Sequence, residues 1–169
     1  FSNQVAMPSW CNNEWRANNY PRALYLQGFI VGEQQMGESI EQTHQRLKEK
    51  AQAEALQNIS TTQNMIKDIP TLSVESWHNP QTNEVIAFAW VKKEDLTRTL
   101  KKQIISHITR AEMAIEEAEG LLAEGEKGAT RKAIAKAIEY LQQVEEQQKV
   151  VQSVDSSTEM EDIAFSESN

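Results

Sequence analysis

Two stretches of this sequence alternate like β-strands yet are apolar on both sides. In residues 23–33, Tyr25, Phe29 and Val31 fall on one face and Leu24, Leu26 and Ile30 on the other. In residues 84–92, Ile86, Phe88 and Trp90 alternate with Val85, Ala87, Ala89 and Val91. Strands of this kind belong in a sheet covered on two sides, and the first is expected to be an interior strand. Gly28 and Gly32 share the face of Leu26 and Ile30, where a missing side chain lets a helix come close. They do not form a phosphate cradle, because the pair lies inside a strand rather than at a strand-to-helix turn.

The remaining periodicities complete an α+β fold. A helix over about residues 37–59 presents Ile40, His44, Leu47, Ala51, Ala55 and Ile59 on one stripe. Residues 60–70 are polar, end in Pro70 and read as a loop. Residues 71–78 and 84–92 form a hairpin around the five-residue turn Asn79-Pro80-Gln81-Thr82-Asn83. Then Leu96, Leu100, Ile104, Ile108, Ala111, Ile115, Ala118 and Leu122 step by threes and fours, a seam close to heptad spacing. Gly125 and Gly128 end that helix, and a second one carries Ala133, Ile134, Ala137, Leu141, Val144 and Val151. Small residues opposite larger ones suit an antiparallel αα-hairpin. The expected architecture is a small, mostly antiparallel sheet packed by one long helix, followed by a C-terminal antiparallel αα-hairpin. Its parts are an α+β module over residues 1–95, the hairpin packed on it over 96–155, and an acidic tail over 156–169. That tail is expected to be frayed, or held only by Ile163 and Phe165, and the segment 1–19 to be loop-like.

Charge and cysteine usage exclude several classes. A formal charge of −8 over 169 residues disfavours a phosphate-binding or anionic-membrane surface, so no nucleic-acid partner is expected. The single cysteine, Cys11, makes no internal disulfide and no cysteine-based zinc site. No two of His44, His78 and His107 stand at a metal-ligand spacing, and no cofactor is expected. The opening Phe1-Ser2-Asn3-Gln4 reads as a processed or trimmed start, which leaves room for a signal peptide removed upstream.

Few residues remain that carry chemistry. Cys11 has no base or orienting group nearby in sequence and reads as an inert thiol. His44 reads as a packed, hydrogen-bonded imidazole, and His78 as a turn residue. Glu75 shares a strand face with Trp77, an arrangement that binds sugar hydroxyls or forms a salt bridge. Trp77 and Trp90 read as core or cross-strand partners, whereas Trp10 and Trp15 have the better claim to an exposed surface. The candidate ligand-binding set is therefore Trp10, Trp15, Glu75 and Trp77, with no catalytic or metal residue.

The order of motifs resembles the bacterial lipoprotein-20 family, itself similar to the N-terminal domain of flagellar assembly protein T. The resemblance runs over about residues 8–95. It rests on Pro8-Ser9-Trp10, Tyr20-Pro21, Tyr25-Leu26-x-Gly28-x-x-x-Gly32, Val74-Glu75-Ser76-Trp77 and Val85-Ile86-Ala87-Phe88-Ala89-Trp90-Val91. It implies an exported protein, periplasmic or outer-membrane-associated and often lipid-anchored, with no established enzymatic residues to carry over. The family usually has a further strand before Leu72, where this sequence looks short. Cys11 follows no lipobox-like apolar run, so the resemblance leaves any lipid anchor to a cysteine outside this chain.

A lone helical hairpin, like one unit of a tetratricopeptide array, cannot bury both of its faces. The sequence therefore points to a non-enzymatic module that meets a protein partner, or a second copy of itself, through the hairpin. The alternative is a glycan or small-ligand binding module built on Trp15 with Glu14, or on Trp77 with Glu75.

Overall fold

The doubly apolar strands pair with each other. β1 (Tyr25–Glu33) runs antiparallel to β3 (Glu84–Lys92), with Phe29 opposite Phe88, and β2 (Ser73–His78) lies on the other side of β3. The strand order is β1-β3-β2, so β3 is the interior strand and β1 an outer one, contrary to the sequence expectation. Apolar residues on both faces report layers above and below a strand, not hydrogen-bonded neighbours at both edges. The structure, a computed structural model, describes residues 6–59 and 72–168, with side chains through residue 155. The polar stretch read as a loop at 60–70, and the question of a further strand there, lie outside the described residues.

One face of the sheet is covered by α2 (Ile40–Ala55). A capping box sets its start: Gln42 N donates to Ser39 Oγ at 3.1 Å and Ser39 N to Gln42 Oε1 at 2.8 Å. The helix is shorter at both ends than its periodicity implied, since Gly37 sits at φ +81 before the cap. Leu47, Ala51 and Ala55 pack on Val85, Ala87 and Ala89 of β3, with Ile40 and Val74 at the margin. Gly28 and Gly32 do admit the helix. A Cβ on Gly28 would overlap the Ala51 carbonyl oxygen, and one on Gly32 would stand 2.8 Å from Leu47 Cδ2.

The opposite face is aromatic and is covered by the N-terminal segment. That segment is not loop-like: a 3₁₀ turn (Ser9–Cys11) leads into α1 (Asn13–Asn19), whose N-cap Asn12 accepts from Trp15 N at 3.0 Å. Trp10 stacks on Phe88 with ring centroids 6.0 Å apart, and Phe88 on Trp90 at 4.9 Å. Tyr20 meets Phe88 and Trp90 at 5.4 and 5.3 Å. Buried among them, the Arg16 guanidinium lies 3.6 Å from the centroid of Phe29 and donates to the Trp10 carbonyl at 2.6 Å.

Two compact units emerge, Phe1–Leu96 with Ser156–Asn169, and Thr97–Asp155. The second holds the antiparallel pair made by α3 (Lys93–Ala123) from Thr97 onward and by α4 (Lys127–Ser168) as far as Asp155. Gly125, at φ +79, closes α3 with a Schellman pair: Glu126 N donates to Leu121 O at 2.9 Å and Gly125 N to Leu122 O at 3.0 Å. α4 continues as helix to Ser168, through the tail read as acidic, and the anchoring expected of Ile163 and Phe165 lies outside the described side chains. No Gly or Pro follows Gly128, and acidic or Ser-rich composition alone does not break a helix.

Candidate interaction surfaces

In the hairpin the buried seam is lined with alanine. Ala111, Ala114 and Ala118 of α3 and Ala133 and Ala137 of α4 are buried, with Leu100, Val144 and Val150 toward the open end. This corrects the sequence assignment, which placed Ile115, Leu122, Ile134 and Leu141 in the packed positions. These four, with Ile105 and Ile138, are 44–65% exposed. The seam runs through Ile104, His107, Ala111, Ala114, Ala118 and Leu121, and each outward residue follows a seam residue by one. Alanine against alanine lets the two backbones come close, and the bulky neighbours are left outside the contact.

Helix handedness then decides where those neighbours go. Ile105, Ile108, Ile115 and Leu122 are rotated about 100° from the α3 seam, and Ile134, Ile138 and Leu141 are rotated the same way from the α4 seam. Because the helices run antiparallel, equal rotation in chain direction brings both stripes to the same side of the pair. The opposite side carries Ser106, Arg110, Glu117, Lys132, Lys136, Glu139 and Glu146, with Met113 its one large apolar residue among the described positions. The hairpin is amphipathic across its flat faces.

His107 is a member of the seam rather than its neighbour. Its Nδ1 lies 2.9 Å from Gln147 Oε1, Gln147 Nε2 donates to Gln103 Oε1 at 2.8 Å, and the Tyr140 ring stacks on the imidazole at 6.2 Å. Gln147 is buried, so these bonds meet the polar requirement of a buried amide.

In the α+β unit, a groove of about 620 Å³ follows β2. On the α2 side it is lined by His44, Lys48, Ser76 and His78, and on the aromatic side by Pro8, Trp10, Glu75 and Trp77. Three of the four sequence candidates, Trp10, Glu75 and Trp77, thus meet in one place. Trp10 is buried, contrary to its expected exposure, because the 3₁₀ turn lays its ring on Phe88. Trp77 is also buried, opposite Ile86, while Trp90 stands opposite Ser73, so the two tryptophans share a sheet face without being cross-strand partners. Glu75 is exposed and makes no ion pair among the described residues. Its charge, after burial and Tyr25, helps hold the Tyr20 phenol above its ordinary value.

His44 is packed and bonded as its place on the stripe implied, with Nδ1 2.6 Å from Ser76 Oγ. Burial lowers its pKa, and Lys48 and His78 press it further down, while Glu41 opposes them. His78 Nε2 meets Asn83 Oδ1 at 2.8 Å across the turn. Trp15 lies apart, half-buried against Tyr20 at 5.9 Å, and lines an open depression of about 400 Å³ with Glu14, Ser9, Asn12 and Asn18. Burial raises the Cys11 thiol above its ordinary value, with Arg16 opposing in part, which disfavours the thiolate.

Among the described residues no group of three or more His, Cys, Asp or Glu is placed to hold a metal ion. Among them, too, no helix is long and apolar enough to cross a membrane. Compared with known proteins, the chain matches no family model, no curated protein and no solved structure.

Proposed function

We propose that this chain is a non-enzymatic interaction module of a bacterial cell envelope that works as a pair, two copies meeting through the apolar sides of their hairpins. The observation that carries the reading is the row of half-exposed Ile and Leu on one flat side of α3–α4. The envelope address rests on the resemblance to the lipoprotein-20 family, with any lipid anchor outside this chain.

Magnitudes allow a second copy. Burying an Ile or Leu side chain completely is worth about 1.5–3 kcal/mol. Covering the exposed half of six such residues in each of two copies gains roughly 12 kcal/mol, against about 4–15 kcal/mol lost on association. The charges at the borders also fit. Lys101 and Lys102 flank the α3 stripe at the open end, and Glu112, Glu116 and Glu119 flank it toward the bend. On α4 the order is reversed, with Arg131 near the bend and Glu145 and Asp155 toward the open end. When two hairpins pack about a two-fold axis along the helices, α3 of one lies beside α4 of the other. The Gln103–Gln147 contact then puts Glu119 level with Arg131, so an acidic border meets a basic one toward the bend.

Light scattering over a concentration series tests the proposal, with a dimer expected at tens of micromolar. A strict monomer throughout would reject it. A second reading, a glycan or small-ligand module, is favoured by the depression that Trp15 and Glu14 share. A thermal-shift screen with peptidoglycan fragments checks it, with Trp15→Ala as the control that removes any shift.

A further inference from the structure

The two outer edges of the sheet are treated differently. In the β1–β3 and β2–β3 ladders, Lys93 N donates to Leu24 O and Asn79 N to Glu84 O. Alternation then turns the backbone groups of Tyr25, Gln27, Phe29, Val31 and Glu33 outward on β1, and those of Val74, Ser76 and His78 outward on β2. The β1 edge is occupied in part: Phe29 N donates to Glu54 Oε1 at 3.4 Å, Arg46 Nη2 to Glu33 O at 2.9 Å, and Tyr25 N to Pro21 O at 3.0 Å. Among the described residues nothing bonds the outward backbone of Val74, Ser76 or His78. Unpaired edge groups are a template for another strand, and proteins that do not use such an edge usually block it.

The groove runs along this edge, which no described residue pairs, and its two walls differ in chemistry. Lys48, His44 and His78 line the wall toward α2, while Trp10, Pro8 and Trp77 form the other together with the Glu75 carboxylate, which turns acidic side chains away from that wall. A strand laid against β2 sends successive side chains to alternate walls. We infer that the β2 edge binds an extended peptide in which acidic and apolar side chains alternate, by strand addition, with the carboxylates over Lys48 and the apolar groups against Trp10. Main-chain bonds supply the affinity and the two walls the selectivity. This site is independent of the hairpin pairing, which lies in the other unit.

The test uses the full chain and amide-resolved NMR titration with the acetylated peptide Thr-Val-Glu-Val-Glu-Val-Thr. Comparison peptides carry Lys in place of Glu, or N-methyl groups on alternate residues. The Glu peptide is expected to shift the amides of β2 and bind at least tenfold tighter than the Lys peptide. Lys48→Glu should reverse that preference, and N-methylation of one alternate set alone should weaken binding at least tenfold. Absence of β2 shifts at millimolar peptide would overturn the proposal. So would equal binding of the Glu and Lys peptides, or indifference to N-methylation in both alternate sets. Lys48 is half-exposed, and its replacement leaves the Leu47–Ala51 packing in place.

Discussion

The carbonyl oxygen of Ala51 occupies the space that a Cβ on Gly28 would need. Backbone of a packed helix cannot yield as a flexible side chain does, so Gly28→Ala must push α2 off the sheet. A destabilisation of about 3 kcal/mol is expected, measured by urea unfolding. Gly120, inside α3 with nothing within 4 Å of its would-be Cβ, is the control. Gly120→Ala should stabilise by about 0.5–1 kcal/mol through helix propensity and reduced chain entropy.

Glu38 accepts from Arg46 Nε at 2.8 Å and Nη2 at 3.1 Å, from Thr43 Oγ1 at 2.7 Å, and from Gln35 N at 3.1 Å. The Arg46 bond, then those from Thr43 and Gln35, lower its carboxyl to about 2. A carboxyl depressed in the folded state favours folding above its unfolded value near 4.5, and loses that contribution as pH falls toward about 2. In acid titrations followed by circular dichroism, wild type should therefore lose stability relative to Glu38→Gln across that window. Parallel curves would show that the ion pair does not couple to folding.

Arg16 is 8% exposed, pressed on Phe29, with a hydrogen bond to the Trp10 carbonyl. Arg16→Met retains the apolar stem but leaves that carbonyl without its donor and the ring without its cation. A loss of about 2–3 kcal/mol is expected by thermal or chemical unfolding. Trp fluorescence should report it, since Trp10 is the neighbour released.

Ile115 and Ala118 are one helical turn apart, the first exposed and the second buried in the seam. Under the pairing proposal, Ile115→Glu places two carboxylates in the shared interface and should weaken dimerisation at least a hundredfold, read by sedimentation. The stability of a single chain should change by no more than about 0.5 kcal/mol. Ala118→Glu should instead disrupt the hairpin itself, lowering helical content by circular dichroism.

Much of the sheet was legible because strand periodicity and turn residues act locally. The residues of β3, the Asn79–Asn83 turn and the close approach at Gly28 follow from alternation, turn chemistry and the absence of a Cβ. What local pattern cannot carry is the identity of a neighbour. The placement of β1 at an outer position depends on which strand β3 pairs with at each edge. Trp10 lacks any periodic context, so its burial on Phe88 depended on a 3₁₀ turn that nothing in its spacing announces. The hairpin seam departs from its spacing for a related reason. Both Ile115 and Ala114 satisfy a three-four spacing, and bulk alone points to Ile115 as the buried one. In a close-packed pair the smaller residue wins the interior. The β2 groove left a partial trace in Glu75 and Trp77, whereas His44 and Lys48 reach it only through the packing of α2.

Alanines are interchangeable as shapes, so a seam lined with them discriminates weakly against sliding one helix along the other. Alignment of the hairpin then falls to the Gln103–His107–Gln147 cluster, which loses its bonds if either helix shifts by a heptad. Three polar side chains act as the dowel that locates an otherwise featureless joint.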